Sequence, residues 1–166
     1  MEYFSYYILS GSNQGDRLTN LLEAEAQIET HAGSIESRSA IYETAAWGKT
    51  NQPAFYNRVI CIKTKRSAAE VLRALLSIEK SMGRVRKEKW AERIIDLDIL
   101  FYEDSIIDEP GLQVPHPHLH ERAFVLAPLN ELIPGFVHPV FQKTIAELTR
   151  DCEDKLRVRR MTSNLK

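Results

Sequence analysis

At 166 residues with 43% hydrophobic content, the chain has the size of one ordinary domain and enough apolar matter for a sizeable core. Its 22 basic residues nearly cancel its 23 acidic ones, so no global field recommends nucleic acid or an anionic membrane as partner, and any electrostatic function must be local. No apolar run approaches membrane-spanning length, Met1 to Ser10 lacks the apolar core of a secretion signal, and Cys61 and Cys152 stand in neither metal nor redox spacing, so the expectation is a reduced, cytoplasmic, single-domain protein over residues 1–166.

Residues 3–9, rich in aromatic and branched side chains, stop at Ser10-Gly11-Ser12-Asn13, which predicts a strand followed by a turn. From Asp16 to Ala32, Leu18, Leu21, Leu22 and Ile28 share one side of a predicted amphipathic helix, with Gly33 as its stop. Residues 35–44 and 55–64 predict two strands separated by a loop from Ala45 to Pro53. Ser67 followed by Glu70 is a capping-box signature, after which Val71, Leu72, Leu75, Leu76, Ile78 and Met82 mark a second helix ending at Gly83. A strand follows from Arg93 to Tyr102. The order βαββαβ predicts an α+β, ferredoxin-like antiparallel sheet with both helices on one face and the other face open. Short helices at Arg122–Glu131 and Thr144–Arg150, then a closing strand at Leu156–Met161, are predicted as C-terminal additions.

The last strand of the βαββαβ unit carries the most informative residues. In Arg93-Ile-Ile-Asp96-Leu97-Asp98-Ile99-Leu100-Phe101-Tyr102, alternation puts Asp96 and Asp98 on one face and Ile95, Leu97, Ile99 and Phe101 on the other. Two adjacent carboxylates resist joint ionisation unless water or a cation screens them. They suit either a solvated strand face or a divalent metal, Mg²⁺ above all, which binds one or two carboxylates and completes its shell with water and phosphate oxygens. The segment just before, Gly83 to Arg93, holds five basic residues against two acidic ones, and a metal beside arginines is the combination that neutralises a polyphosphate. His116, His118 and His120 alternate downstream, but without a nearby Cys and with Pro117 between them a phosphate donor role for His116 is more economical than a zinc site. Trp47, Phe55, Trp90 and Phe124 offer aromatic faces for a planar ring. No P-loop and no Gly-x-Gly-x-x-Gly turn is present, so a nucleotide would be held by arginines and metal.

Taken together, Gly83-Arg84-Val85-Arg86, Trp90, Arg93, Asp96-Leu97-Asp98, Val114-Pro115-His116-Pro117 and Glu121-Arg122-Ala123-Phe124-Val125-Leu126-Ala127-Pro128-Leu129 resemble the 6-hydroxymethyl-7,8-dihydropterin pyrophosphokinase family. Gly11-Ser12-Asn13, Tyr42-Glu43-Thr44 and Phe55-Tyr56-Asn57 extend the resemblance to residues 5 to about 140, leaving the C-terminal tail outside it. It implies transfer of the pyrophosphoryl unit of ATP to a pterin hydroxymethyl group, giving AMP, in the route to folate. Asp96 and Asp98 would ligate two Mg²⁺ ions, and Arg84 and Arg93 would stabilise charge during transfer. ATP would be bound by Arg86, Trp90, Ile99, Leu112, His116 and Arg122. The pterin would stack between Phe55 and Phe124, read by Asn57 and by Thr44, Ala45 and Ala46, with Asp96 beside it. Glu79 resembles a residue near the substrates. The loops at 45–53 and 83–93 are the expected lids, and a monomer is the expected form. Ala45-Ala46 and Ala91-Glu92 stand where the family often has Pro-Pro and Gly-Pro, which bears on loop stiffness and closure, and Lys89 stands where an arginine is common, which implies a less directional phosphate contact.

Two other readings stay open on sequence grounds. A ferredoxin-like sheet with exposed aromatics can bind single-stranded RNA, although the acid pair would repel phosphates without metal. A phosphotransferase for a different alcohol is the other.

Overall fold

The computed structural model describes residues 2–45, 53–83 and 94–161. Among them run β1 (Phe4–Ser12), α1 (Arg17–His31), β2 (Ser34–Arg38), β3 (Tyr42–Thr44), β4 (Phe55–Thr64), α2 (Ala68–Ser81), β5 (Asp96–Tyr102), β6 (Ile107–Glu109), β7 (Leu112–Val114), α3 (Ala123–Leu132), α4 (Ile145–Asp151) and β8 (Val158–Arg160), with a short 3-10 turn at Leu119–Glu121.

The helix starts follow from local chemistry. Asp16 accepts the Thr19 N–H at 3.1 Å and caps α1. Ser67 and Glu70 exchange side chain to backbone bonds at 3.2 and 2.9 Å, and Thr144 and Glu147 do the same for α4 at 3.1 and 2.9 Å. Leu22 and Leu76, expected on the packed stripes, are instead exposed.

The main sheet is antiparallel, ordered β5-β1-β4-β3-β8, with β2 also on β4. Two boundaries differ from expectation. β1 runs on through the predicted turn, because Gly11 and Ser12 find ladder partners in Asn57 and Tyr56. The predicted strand 35–44 breaks into β2 and β3, both against β4, and the break is stitched by Ser39, whose N–H donates to Val59 O at 2.9 Å while its Oγ accepts the Val59 N–H at 3.1 Å.

One face of the sheet packs on α1 and α2: Tyr6, Ile8, Ile60, Ile62, Ile95, Leu97 and Ile99 meet Leu21, Ile28, Val71, Leu75 and Ile78 in a buried core. The other face is not open. Leu9, Val59, Leu100 and Phe101 form a second core with Val125, Leu126 and Leu129 of α3 and Ile145 and Leu148 of α4. Phe101 also departs from its expected side. The β1–β5 register shifts so that Tyr7 faces Phe101 and Ile8 faces Ile99, leaving Leu100 as an extra residue in β5. That bulge interrupts the alternation: Leu100 keeps the side of Asp96 and Asp98, and Phe101 joins it on the α3/α4 side. What remains uncovered is the end of this face nearest Gly11, Asn57, Asp96 and Asp98.

Candidate active site

At that uncovered end lies a pocket lined by β1 (Leu9, Gly11), β3 and the residue after it (Thr44, Ala45), β4 (Phe55, Asn57), β5 (Asp96, Asp98, Leu100), His116, and the α3 entry (Arg122, Phe124, Val125). Three adjacent strands supply the floor and α3 supplies one wall. Nine of the expected site residues meet here: Thr44, Ala45, Phe55, Asn57, Asp96, Asp98, His116, Arg122 and Phe124.

The acids are held by what lies behind them. Leu97, 2% exposed, points into the α1/α2 core, so Asp96 and Asp98 both project to the pocket face. Its backbone N–H donates to Oε2 of Glu79 at 2.7 Å, and Glu79 itself is 3% exposed on α2. Glu79 therefore sits behind the strand, not among the pocket-lining residues, and steadies the peptide between the two acids.

Cationic and donor groups face those acids. Burial lowers the pKa of Arg122, while Asp98, Glu121, Asp96 and Asp154 pull it back up, so the guanidinium stays charged at neutral pH. Its Cζ lies 5.8 Å from the centre of the Phe124 ring. His116 is held down to about 4, first by burial, then by Arg122 and His118, against a weaker pull from Asp96, so it is neutral at pH 7. Its Nδ1 accepts the His118 N–H at 3.2 Å, which assigns the ring proton to Nε2 and makes that atom a donor. His118 and His120 turn elsewhere: the first lies 3.6 Å from Glu121, and the ring of the second packs 4.5 Å from Phe141. Among the described residues no group of three or more His, Cys, Asp or Glu gathers in metal-holding geometry. A pair of carboxylate donors fits Mg²⁺ better than zinc, because Mg²⁺ draws its other ligands from water and phosphate.

The opposite side of the pocket carries unspent hydrogen-bonding capacity. Thr44 and Asn57, 2% and 3% exposed, line the pocket, yet Thr44 Oγ1 and Asn57 Nδ2 are buried without a hydrogen-bond partner among the described residues. Buried polar atoms left so are costly, and a ligand edge would satisfy them. Asn57 owes its place to Gly11, its cross-strand neighbour: a Cβ on Gly11 would lie 2.5 Å from Asn57 Oδ1.

Several expected residues fall elsewhere. Ile99 and Leu112 are buried in the α1/α2 core and do not line the pocket. Ala46, Trp47, Arg84, Arg86, Lys89, Trp90, Ala91, Glu92 and Arg93 lie outside the described residues, as does most of each expected lid. Leu9, Gly11, Leu100 and Val125 line the pocket without having been expected there. Strand alternation could have flagged Leu9 and Gly11 as facing Asn57's side, and Leu100 as sharing the face of Asp96 and Asp98.

The family described as 7,8-dihydro-6-hydroxymethylpterin-pyrophosphokinase (HPPK) matches residues 7–134. The 2-amino-4-hydroxy-6-hydroxymethyldihydropteridine pyrophosphokinase of Aquifex aeolicus is 41% identical over 141 residues, 85% of this chain and 88% of its own. That of Bacillus subtilis is 43% identical over 127 residues, 76% of each. Among solved structures, the HPPK-DHPS chain of Plasmodium falciparum aligns with a TM-score of 0.74 at 19% identity, covering 90% of this chain and 43% of that one. This last likeness is one of fold, and the present chain spans less than half of that longer protein.

Proposed function

Because the chain belongs to the 7,8-dihydro-6-hydroxymethylpterin-pyrophosphokinase family, we propose that its pocket takes the pterin between Phe55 and Phe124 and the ATP triphosphate against Asp96 and Asp98. The protein is an ATP-dependent pyrophosphokinase of folate biosynthesis, transferring the pyrophosphoryl group of ATP to the hydroxymethyl group of 6-hydroxymethyl-7,8-dihydropterin and leaving AMP. The single observation that carries the residue assignment is the meeting, in one pocket, of two aromatic rings, two polar atoms without a partner among the described residues, and a same-face acid pair beside a guanidinium.

Each group then has a task. Phe55 and Phe124 sandwich the planar ring, and Thr44 Oγ1, Asn57 Nδ2 and the backbone at Ala45 and Ala46 read its edge. Asp96 and Asp98 are the residues that would hold two Mg²⁺ ions, Asp96 also lying beside the pterin. When bound, the metal neutralises phosphate charge and makes a coordinated hydroxyl more acidic. Arg122 and the His116 Nε2–H donate to phosphate oxygens, which fixes the triphosphate in line with the incoming hydroxyl. Arg84 and Arg93 are assigned to charge stabilisation, and Arg86 and Trp90 to ATP, on the family resemblance. Ile99 and Leu112 would reach the nucleotide through their main chains, since their side chains are spent in the core. Phosphoryl transfer asks the protein for position and charge more than for covalent chemistry, and these residues supply both.

The β5-β1-β4-β3 order and its antiparallel pairs support a ferredoxin-like reading of the βαββαβ unit. One domain over residues 1–166, acting as a cytoplasmic monomer, completes the proposal. Among the described residues, no helix is long and apolar enough to cross a membrane.

Incubation of the purified chain with Mg²⁺, ATP and the hydroxymethyl pterin is expected to yield AMP in an amount set by the pterin. ADP as the nucleotide product, or AMP formed equally without pterin, would contradict the assignment. Within the active protein, Gly11→Ala forces the Asn57 amide aside and is expected to raise the pterin KM roughly tenfold, about 1.4 kcal/mol, with the ATP KM unchanged. An unmoved pterin KM would remove Asn57 from recognition.

A further inference from the structure

Residues 135–161 lie beyond the stretch that matches the family, yet part of them reaches the pocket walls. Arg122 holds the N-cap position of α3 but makes no side-chain capping bond, and it lines the pocket instead. The helix start is served from far along the chain: Asp154 Oδ2 accepts the Ala123 N–H at 2.9 Å, across 31 residues. Its other oxygen, Oδ1, accepts the Leu156 N–H at 2.9 Å and turns the chain toward β8. β8 then adds to the free side of β3, with Thr44 facing Val158, Glu43 facing Arg159 and Tyr42 facing Arg160. Arg159 reaches Glu43 at 2.8 Å, and Met161 N–H donates to Ile41 O at 2.8 Å.

Residues 154–161 thus form a strap from the wall that carries Arg122 and Phe124 to the wall that carries Thr44. We propose that Asp154 is a positioning residue for the pyrophosphokinase reaction: by capping α3, which the donor-only guanidinium of Arg122 at the N-cap position cannot do, it fixes the first turn of the helix and so holds Arg122 at the pocket and sets the Phe124 ring at the width a pterin needs opposite Phe55. The carboxylate is well suited to this, since it complements the positive helix start and has an oxygen for each of two backbone N–H groups. This inference rests on the pyrophosphokinase reading.

The test compares the full chain with Asp154→Asn and Asp154→Ala by initial rates of AMP formation, pterin varied at saturating ATP and Mg²⁺, alongside thermal unfolding. An amide offers one acceptor oxygen where the carboxylate offers two, so Asp154→Asn keeps one tie and loses the other. The expected result is a pterin KM raised roughly fivefold in Asp154→Asn and more than about tenfold in Asp154→Ala, with kcat of Asp154→Asn within about twofold of the parent. A tie that serves folding alone would lower the unfolding temperature and leave the pterin KM where it was, and that outcome overturns the proposal. If Asp154→Ala does not fold, Asp154→Asn decides alone. An active parent with unmoved variants sinks this inference only, whereas a parent that forms no pterin-dependent AMP sinks the pyrophosphokinase reading and this inference with it.

Discussion

Replacing Asp96 or Asp98 with alanine is expected to lower kcat/KM by ~10³-fold or more, about 4 kcal/mol of transition-state stabilisation, in a chain that still folds. The two halves of this expectation have separate causes. Both carboxylates line the pocket, only partly buried, while Leu97 between them is fixed in the core and its N–H is taken by Glu79. Truncating either acid therefore removes a group facing the substrates and leaves the strand's apolar side intact. Asparagine at either position keeps the shape and loses the charge, so a comparable loss of rate is expected if charge toward Mg²⁺ and triphosphate is what matters. Steady-state rates at several Mg²⁺ concentrations, with denaturation curves for each variant, check both halves. Turnover near that of the parent in either alanine variant would refute metal ligation by this pair.

Phe101→Ala is expected to destabilise the protein by about 3–5 kcal/mol, measured as a shift in the urea midpoint. The ring is fully buried in the α3/α4 core, its centre 4.7 Å from that of Phe136 and 5.5 Å from that of His138, so truncation leaves a cavity among packed side chains. Leu76→Ala is the contrast: at 43% exposure it should stay within about 0.5 kcal/mol of the parent. The Phe101 variant also bears on the site, because this core seats α3, whose first turn carries Phe124. A small cost for Phe101→Ala would mean that the ring does not pack in a closed core.

Much of the fold was legible because the relevant signals are local. The Ser67–Glu70 and Thr144–Glu147 capping boxes mark helix starts within four residues, and the expected helix and strand order survives in α1, α2, α3, α4, β4, β5 and β8. The acid pair was legible for the same reason, since period-two alternation puts Asp96 and Asp98 on one face in any regular strand. The resemblance of ordered motifs to a pyrophosphokinase brought Thr44, Phe55, Asn57, His116, Arg122 and Phe124 into view although they are scattered along the chain, and they line one pocket. The β6–β7 hairpin, the break between β2 and β3, and the extension of β1 were not legible, because each depends on which partner strand offers backbone groups.

Residue types, their order and their alternation were enough to identify a two-acid strand face, basic and aromatic residues near it, and the reaction class they resemble. Packing at long range settled the rest. The register shift of β1 against β5 at Leu100 turns Phe101 out of alternation toward α3 and α4, and those helices close most of a face that was expected to be open. The cross-strand meeting of Gly11 with Asn57, the support of Leu97 by Glu79 and the reach of Asp154 to Ala123 join residues separated by 46, 18 and 31 positions. No local propensity encodes such distances; they exist only when the whole chain has paid the entropy of bringing its distant segments together.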